Sequence, residues 1–589
     1  MSNEALTKIG EKILLKGWVN RRRDMGNVAF IDLRDKSGII QVVLVLNNLD
    51  GESKSAAEKL RPEFVISVEG IVNNRGEAQI NKEIETGTIE VLAENLVILN
   101  EAKTTPFEID KDTSQINEEI RLTYRYLDLR TERMKKNIIG RHKIVKAVRE
   151  YLDKNNFTEI ETPILIKGTP EGAREFLVPS RVHAGKFYVL PQSPQQLKQL
   201  LMVGGMERYY QIARCFRDED QRGDRQPEFT QIDMEMAFMS QDEILNLVEG
   251  MMIEVCEKIR PDKQMIFKPF KRLTYQEAMN GYGSDKPELR FEMPFTDISE
   301  EVKGCGFAIF ADAVAKGGMV KALRAEGGAK FSRKELDELT EIAKKKGAKG
   351  LVSMILKDKK IDSSVVKHLG DDLTEKIIDK TGAIDGDAIF ITADQFETAC
   401  ESLGQVRLEI GKRFNLLDQN KLAFLWVVDF PMFKGNKEGE EHGYGEIAAM
   451  HHPFTRPLDE DKHLLDSDPL SARANAYDLV LNGYEVGGGS VRIHERDLQA
   501  KIFDLLKITK EEAEKRFGHL LRAFEYGAPP HGGIAPGLDR LVMILMDEPN
   551  IREVIAFPKT GDARDLMLSA PSDLPQEKLD EVHIEVKKD

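Results

Sequence analysis

Two strand-like runs flank a densely charged segment, and this hairpin pattern constrains the fold more than any other stretch. The segment is "FRDEDQRGDRQPEFTQIDME", Phe216 to Glu235, between "YYQIARCF" and "FTQIDMEMAF". If the second run is a strand, its side chains alternate between two faces. The polar set is Gln231, Asp233 and Glu235, and the apolar set is Ile232, Met234 and Met236. The sequence therefore predicts a hairpin in a sheet that has one polar face.

The polar face of this strand has two interpretations. A half-exposed antiparallel strand would turn it to water. The adjoining loop, however, carries Arg217, Glu219, Arg225 and Gln226. Guanidinium groups are forked donors that suit phosphates and carboxylates, so this loop favours a hairpin that binds a charged ligand.

The composition is that of a multidomain protein that can build large cores. Of the 589 residues, 41% are hydrophobic and 31% are charged, as expected for several globular domains. The formal net charge of −15 argues against a protein that coats nucleic acid indiscriminately, because sequence-independent phosphate binding requires a basic surface. A local basic patch remains compatible with this charge.

Cysteine use and the N-terminal sequence predict a reducing compartment and no membrane segment. The four cysteines form no C-x-x-C pair, so we expect neither a disulfide framework nor a thiolate zinc site. The N-terminus "MSNEALTKIG" has no basic stretch followed by an apolar core, and Asp429 and Pro431 interrupt the longest apolar run. These features predict a cytoplasmic protein without a signal peptide or a spanning helix.

The pattern along the chain predicts an α+β multidomain protein. Residues 1–107 contain five short strand-like runs, which predicts a small closed barrel such as an OB-fold. Residues 108–135 are predicted to be a linker. A second domain covers 136–287 and resumes over 419–560, because the strand-rich pattern between them gives way at 288–418 to alternating strands and Lys/Glu-rich helices, an inserted α/β domain. Residues 561–589 form a C-terminal extension.

The start of the second domain reads as one long helix and a strand. The stretch "LTYRYLDLRTERMKKNIIGRHKIVKAVREYLDKNNF" has apolar residues at helical spacing. "TEIETPIL" then resumes as a strand that carries Pro163. Proline is expected in a strand only at an edge or an interface.

A second polar element lies in "YDLVLNGYEVGGGSVRIH". Asp478 and Glu485 are carboxylates in otherwise apolar runs, and Arg492 follows them. Gly487 to Gly489 would allow a ligand to approach the backbone closely. Carboxylates beside a phosphate site suit Mg²⁺, which commonly combines one or two of them with substrate phosphates. The alternative is a β-bulge with Glu485 in a structural ion pair.

A third element is "HGGIAPGLDRLVMIL", in which a Gly-rich loop leads through Gly537 into an apolar helix that has Arg540 in its first turn. Helix N-termini suit anions. His451 and His452 in "MHHPFT" lack further ligands at metal-binding spacing, which favours hydrogen bonding to a substrate. The sequence contains no P-loop and no G-x-G-x-x-G after a strand.

These residues match a family. The stretch ending "NNFTEIETPIL", then "FRDED" to "FTQIDME", then "GLDRLVMIL", resemble in order the three signature motifs of class II aminoacyl-tRNA synthetases. With "TPEGAREF", "PQSPQQLKQLL", "MHHPFT" and the barrel's "GWVNRRRD", the chain resembles bacterial-type aspartyl-tRNA synthetases over essentially its whole length. The resemblance implies an antiparallel-sheet catalytic domain, an OB-fold that reads the anticodon, and a homodimer formed through the first motif, where Pro163 belongs.

The resemblance also implies the reaction and its residues. Aspartate attacks the α-phosphate of ATP to give aspartyl-adenylate, and the terminal adenosine of tRNA then captures the acyl group. Arg217, Glu219 and Arg540 are the catalytic set. ATP contacts are Arg217, Asp218, Glu219, Gln226, Phe229, Glu485, Gly537, Leu538, Asp539 and Arg540. Aspartate contacts are Glu171, Ser193, Gln195, Lys198, Arg217, Asp233, His451 and Arg492. Mg²⁺ ligands are Asp478 and Glu485, and anticodon contacts are Arg23, Phe30, Gln41 and Glu90.

Substrate choice rests on charge. Two cations, Arg492 and Lys198, suit a side-chain carboxylate, and a neutral asparagine amide would lose charge-assisted bonds worth roughly 1.5–3 kcal/mol each. Two alternatives remain: an asparaginyl enzyme, and a non-catalytic tRNA-binding paralogue. Phe30 could equally be barrel core. The expected partners are L-aspartate, ATP and tRNA-Asp, with tRNA-Asn as an open second substrate, and no membrane.

Overall fold

The computed structural model describes residues 1–168, 173–435 and 447–587. The chain forms two compact units. One comprises residues 1–139 and 556–572, and the other comprises residues 140–555 and 573–589. Of the helices in the described part of the chain, none combines the length and the apolar character that crossing a bilayer requires.

The first unit contains the predicted five-stranded closed barrel, in the order β1-β2-β3-β5-β4. Its elements are β1 (Lys12–Met25), β2 (Val28–Arg34), β3 (Ile39–Val45), α1 (Gly51–Lys59), β4 (Val65–Asn74) and β5 (Ile89–Asn100). Ala29, Ile31 and Leu33 alternate into the core and are fully buried. Phe30 points to the other face and is partly exposed, so the barrel-core alternative for Phe30 is wrong.

The stretch that reads as one long helix forms three. These are α2 (Glu118–Thr123), α3 (Arg125–Asp128) and α4 (Glu132–Lys154). The buried Asp128 carboxylate accepts hydrogen bonds from Arg121 and Arg125 at 3.0 and 2.6 Å. These side-chain contacts close a compact turn around Asp128, which replaces the predicted continuous helix.

The next segment holds the predicted hairpin and a shorter strand than expected. Its elements are β6 (Thr158–Glu159), β7 (Leu177–Pro179), β8 (Phe187–Val189), α5 (Gln195–Val203), β9 (Arg208–Phe216), β10 (Glu228–Ala237), α6 (Gln241–Ile259), β11 (Gln264–Met265), β12 (Lys271–Thr274) and α7 (Tyr275–Tyr282). The strand predicted over "TEIETPIL" ends at Glu159, so Pro163 lies outside it. Proline has no N–H to donate to a ladder, and the hydroxyl of Thr162 donates to Gln211 instead.

Residues 295–413 contain a sheet of their own, ordered β13-β14-β17-β15-β16. The elements are β13 (Phe295–Asp297), α8 (Ala308–Ala315), β14 (Met319–Ala325), α9 (Arg333–Lys344), β15 (Val352–Lys357), β16 (Lys360–Asp362), α10 (Val366–Leu369), α11 (Asp371–Thr381), β17 (Ala388–Asp394) and α12 (Phe396–Arg413). All of its strand pairs are antiparallel. We call this part the inserted domain. Its predicted limits, 288 and 418, remain predictions, as do the other segment boundaries.

The remaining elements complete the central sheet. They are β18 (Lys421–Leu422), β19 (Phe424–Val428), β20 (Phe433–Gly435), β21 (Ile447–Ala449), α13 (Leu464–Ser467), β22 (Ala476–Leu481), β23 (Tyr484–Val491), α14 (Arg496–Leu505), α15 (Lys510–Ala523), β24 (His531–Pro536), α16 (Leu538–Leu545) and α17 (Gln576–Glu581). The predicted Gly-rich loop before Gly537 is therefore wrong, because "HGGIAP" is the strand β24.

Eight strands form the central sheet, in the order β12-β19-β22-β23-β24-β10-β9-β6. The pairs are antiparallel except at the two edges, where β12 joins β19 and β6 joins β9 in parallel. One face packs on α4, α6 and α16 through residues such as Met234, Trp426 and Leu541. The polar side chains of β10 project from the opposite face, which positions the site.

Candidate active site

A cavity of about 550 Å³ lies over the polar side of β10, β22 and β23. Asp233 and Glu235 on β10 are fully buried, and Gln231 is 9% exposed. The interpretation in which this face meets water is therefore wrong. Charged groups are rarely buried unless they are paired, so the partners of these carboxylates decide what the site can do.

The buried carboxylates alternate with two buried cations. Lys198 Nζ, from α5, lies 2.7 Å from Asp233 Oδ1 and 3.3 Å from Glu235 Oε2. Arg492 Nε donates to Glu235 Oε1 at 3.0 Å. Burial would raise the pKa of Glu235, but the charges of Arg492 and Lys198 outweigh it and hold that pKa below its ordinary value. Two cations and two carboxylates thus form a balanced set.

Arg492 is fixed by further contacts. Its Nη1 donates to Ser490 Oγ at 2.6 Å and lies 2.7 Å from His452 Nε2. Burial and the adjacent Arg492 charge lower the pKa of His452 well below its ordinary value, so the ring is neutral. The guanidinium is held on three sides before any ligand arrives.

Several buried polar atoms on the cavity have no hydrogen-bond partner within the described residues. They are Gln195 Nε2, Gln196 Nε2 and Oε1, Arg217 Nε, Gln221 Oε1 and Asp233 Oδ2. Buried polar groups in native proteins are nearly always satisfied, and each unsatisfied one costs about 1–3 kcal/mol. Their concentration here indicates that a polar ligand completes the site.

A second part of the cavity combines arginines with an aromatic ring. The Arg217 guanidinium lies 5.1 Å from the centroid of Phe229 across the β9–β10 hairpin. Arg540 donates from Nη1 to the carbonyl of Glu485 at 2.8 Å and pairs with Asp224 at 3.1 Å. Two cations and a ring on one wall suit a nucleotide, since phosphates take arginine forks and bases stack on aromatic faces.

Asp478 and Glu485 lie on the two strands of the β22–β23 hairpin, with Gly488 opposite Asp478. A Cβ built on Gly488 would lie 2.9 Å from Asp478 Oδ1 and 3.7 Å from Glu485 Oε1, so the glycine leaves a space between the two carboxylates. Burial raises the pKa of Asp478, and the charges of Glu485 and Asp285 raise it further. This donor set fits a divalent cation.

The described part of the chain contains no cluster of three or more His, Cys, Asp or Glu side chains able to hold a metal by itself. A cation between Asp478 and Glu485 would therefore need other oxygen ligands. Mg²⁺ fits that requirement, because it usually keeps waters and substrate phosphates in its shell.

Most of the predicted substrate residues line this one cavity: Ser193, Gln195, Lys198, Arg217, Glu219, Gln226, Phe229, Asp233, His451, Asp478, Glu485, Arg492, Gly537, Asp539 and Arg540. Leu538 is buried in the core, and Asp218 pairs through its backbone with Arg174; neither lines the cavity. Glu171 lies outside the described residues.

The Asp539 carboxylate has protein partners. It accepts from the backbone N–H of Thr230 at 2.8 Å and from Arg141 at 2.5 Å. Asp539 thus ties α16 to β10 and to α4. These contacts indicate a structural role for the side chain, and the predicted ATP contact would have to come from its backbone.

The site residues that the resemblance implied did not include Glu235, Ser490 or His452, although Glu235 belongs to the predicted polar set and His452 to the predicted histidine pair. Alternation placed Glu235 on the polar face of β10 with Asp233, but assigned it no role. His451 lies edge-on to Phe430 with ring centroids 4.9 Å apart, while its neighbour His452 contacts Arg492. Adjacent histidines cannot be distinguished from spacing.

The predicted anticodon residues lie together on the barrel. Arg23 Nη2 donates to Gln41 Oε1 at 3.2 Å, and Gln41 Nε2 donates to Glu90 Oε2 at 2.9 Å. Phe30 stands opposite Arg23 in the β1–β2 ladder. The result is a row of hydrogen-bonding groups beside a partly exposed ring, an arrangement suited to unstacked bases.

The chain matches two family profiles. Residues 117–561 match the family described as "tRNA synthetases class II (D, K and N)", and residues 13–99 match "OB-fold nucleic acid binding domain". Among solved structures, asparaginyl-tRNA synthetase from Pyrococcus horikoshii aligns with a TM-score of 0.58 at 21% identity, covering 94% of this chain and 96% of that one. At that identity the likeness shows the fold.

Curated relatives are much more similar. The aspartate–tRNA(Asp/Asn) ligase of Rubrobacter xylanophilus is 52% identical over 98% of this chain and 95% of its own length. The aspartate–tRNA(Asp/Asn) ligase of Bacillus subtilis is 51% identical over 98% and 97%. The aspartate–tRNA ligase of Bacillus licheniformis is 51% identical over the same shares. The chain therefore belongs to the aspartate–tRNA ligase family of class II aminoacyl-tRNA synthetases.

Proposed function

We propose that the protein is a cytoplasmic aspartate–tRNA ligase, which activates L-aspartate with ATP and transfers the aspartyl group to the terminal adenosine of tRNA-Asp. The observation that carries this proposal is the buried pair Lys198 and Arg492, which lines the same cavity as Arg217, Phe229 and Arg540. One end of the cavity suits a small amino acid with a side-chain carboxylate, and the other suits a nucleotide.

The chemistry requires positioning and charge stabilisation more than a protein nucleophile. The α-carboxylate of aspartate attacks the α-phosphorus of ATP, and pyrophosphate leaves. Arg217 would hold both reacting anions, and Phe229 would stack on the adenine. Arg540, anchored by Glu485 and Asp224, would meet the phosphates on the other side, and Glu219 and Gln226 would fix the nucleotide.

The charges of Lys198 and Arg492 favour aspartate over asparagine as the substrate. Asp233 and Glu235 already neutralise much of Lys198 and Arg492, but both cations keep donors for a ligand. An aspartate side chain gains charge-assisted bonds of roughly 1.5–3 kcal/mol each, which an asparagine amide does not match. Ser193, Gln195, His451 and Glu171 would surround the rest of the amino acid.

Mg²⁺ is the cofactor that this site would take, held by Asp478 and Glu485. Bound with ATP, it would neutralise phosphate charge and orient the leaving pyrophosphate. The two carboxylates would set its position relative to Arg217 and Arg540, and Gly488 keeps the space between them free.

The barrel would read the tRNA through Arg23, Gln41 and Glu90, with Phe30 stacking on an anticodon base. The names of the relatives differ on tRNA-Asn. Some are called aspartate–tRNA(Asp/Asn) ligase and others aspartate–tRNA ligase. Charging of purified tRNA-Asn, compared with tRNA-Asp, decides between the two specificities.

We further propose that the protein is a homodimer. The β7–β8 hairpin and the segment before it expose large apolar side chains: Ile164, Leu165, Leu177, Phe187 and Tyr188. Exposed clusters of this kind mark interfaces, and Pro163 is adjacent. Sedimentation should give a dimer mass, and Leu177→Glu should raise the monomer fraction; a monomeric wild type would refute the proposal.

The deciding experiment for the function is ATP–pyrophosphate exchange with each of the twenty amino acids. Exchange that depends on aspartate is the expected result. Exchange with asparagine alone would identify an asparaginyl enzyme instead. Normal tRNA binding without adenylate formation for any amino acid would identify a non-catalytic paralogue.

A further inference from the structure

One segment of the chain both contacts the inserted domain and lines the cavity of the candidate active site. This connector, residues 283–293, leads from the end of α7 into the inserted domain. Asp285, near its start, lines the cavity together with Asp478 and Glu485. Asp285 therefore brings a third carboxylate to the part of the cavity that holds Asp478 and Glu485.

The start of the connector is locked against α12 of the inserted domain. Gly283 has a left-handed backbone with φ +67°, and a Cβ built on it would lie 2.0 Å from the Cys400 carbonyl oxygen. A Cβ on Gly404 would lie 2.7 Å from the Gly283 carbonyl oxygen. Only glycine at both positions permits this approach, so α12 fixes where the connector leaves α7.

The end of the connector is held by Arg407, also on α12. Its guanidinium donates to the carbonyl oxygens of Glu288, Phe291 and Met293 at 2.9, 3.0 and 2.9 Å. It also lies 4.1 Å from the centroid of the Phe291 ring. Arg407 is 1% exposed, and a rigid, planar donor that meets several carbonyls at once fixes the course of that backbone.

A buried arginine carries a desolvation cost that apolar packing would avoid. Burial lowers the pKa of Arg407 to about 10. If Arg407 only filled space in the inserted domain, a leucine or methionine would do so without this cost. Its carbonyl partners all belong to the connector, which indicates a function in shaping that segment.

We propose that the inserted domain braces the adenylation cavity, with Arg407 as the positioning residue that sets the connector so that Asp285 faces the Mg²⁺·ATP end of the site. Asp285 would act on the hydrated shell of the cation beside Asp478 and Glu485. The inference rests on the proposed function, because it names a partner of the same nucleotide site.

The test measures binding of Mg²⁺ with β,γ-methylene ATP, a non-hydrolysable analogue, by calorimetry on the full-length protein. Asp285→Asn should weaken binding about 10-fold, the effect typical of outer-shell partners of a metal. Arg407→Met should weaken it similarly. The double variant should bind within about twofold of Arg407→Met, because residues that act through one another are not additive. Aspartate affinity should stay within twofold in all three.

Arg413→Met is the matched control, since Arg413 lies on the same helix but pairs with Glu409 and Glu338. It should bind the analogue like wild type. If Arg407→Met does not fold, Arg407→Lys replaces it. Lysine keeps the charge but lacks the planar guanidinium, so we expect the same loss of analogue binding. Three results would overturn the proposal. They are unchanged binding in the Arg407 variants, a loss in the double variant equal to the product of the two single losses, and a loss in Arg413→Met equal to that in Arg407→Met. If the wild type shows no aspartate-dependent ATP–pyrophosphate exchange, the proposed function itself is refuted.

Discussion

Glu235 on β10 accepts a hydrogen bond from Arg492 at 3.0 Å while its other oxygen lies 3.3 Å from Lys198. A Cβ on Gly533 of β24 would lie 2.0 Å from that second oxygen, so the carboxylate rests directly on the neighbouring strand. Glu235 therefore holds both cations of the pocket in fixed positions and leaves their remaining donors for a ligand.

We expect Glu235→Gln to impair aspartate selection. The neutral amide leaves two buried cations under-compensated and lets Arg492 move, and breaking a buried pair costs about 3–5 kcal/mol. The KM for aspartate in pyrophosphate exchange should rise at least tenfold, while the KM for ATP stays within about threefold. Glu254→Gln, on the surface of α6, is the control. Equal increases in both KM values would contradict the assigned role.

The same substitution should change the response to acid. The pKa of Glu235 is lowered in the folded protein, and that of an unfolded glutamate is about 4.3. Its ionised form therefore stabilises the fold above about pH 4.3, and this contribution is lost as the pH falls. Thermal midpoints of wild type and Glu235→Gln should differ most at pH 7, and the difference should begin to shrink at about pH 4.3 and shrink further as the pH falls through the lower folded-state pKa. A constant difference would exclude this linkage.

Arg217→Ala should abolish adenylate formation and leave the fold intact. In the proposed complex the guanidinium holds both reacting anions, and removal of one such stabilising group typically costs about 10²–10³ in kcat. Pyrophosphate exchange measures the loss, and anticodon-dependent tRNA binding should be retained. Arg272→Ala, whose arginine pairs with Asp242 on the surface, should behave like wild type. Full exchange by Arg217→Ala would refute its assignment.

Asp478→Asn should raise the Mg²⁺ requirement. One of the two carboxylates is removed, so the cation loses a ligand while Arg217 and Lys198 keep their places. The Mg²⁺ concentration for half-maximal exchange should increase about tenfold or more. Asp242→Asn is a surface control. An unchanged magnesium dependence would show that this carboxylate does not serve the cation.

Phe30→Ala should separate the two half-reactions. Loss of one base–aromatic stack costs about 1–3 kcal/mol, so the KM for tRNA in charging should rise roughly 5- to 150-fold. Pyrophosphate exchange, which needs no tRNA, should be unaffected. Leu14→Ala removes an exposed apolar side chain from the same barrel and should change neither reaction. A parallel loss of both activities would point to misfolding.

Local patterns predicted the barrel, the β9–β10 hairpin and α16, because period-two alternation and turn residues act over short distances. The sequence did not predict β24, since the reason for Gly533 is the Glu235 carboxylate, which belongs to β10. The break between α2, α3 and α4 likewise follows from contacts that Asp128 makes. Such features depend on tertiary partners, which a single sequence does not reveal.

The site was predicted in its chemistry more than in its geometry. The resemblance implied that Arg217, Asp478 and Arg540 belong to one site, and all three line the same cavity. The sequence indicated Glu235 and His452 as polar groups but not their roles, which arise from contacts with Arg492, a residue distant from Glu235 in the chain. Asp539 was assigned to ATP by its place in "GLDRL", yet its carboxylate binds Arg141 and Thr230.

The parallel pair β12–β19, at one edge of the central sheet, affects the order in which the chain folds. Lys271 on β12 stands opposite Leu425 on β19, roughly 150 residues later, and the inserted domain lies between them. Pairings this distant are slow to form, because the intervening loop must first be closed. During synthesis β12 must wait for its partner, so the inserted domain should fold ahead of the sheet and bring the two strand ends together.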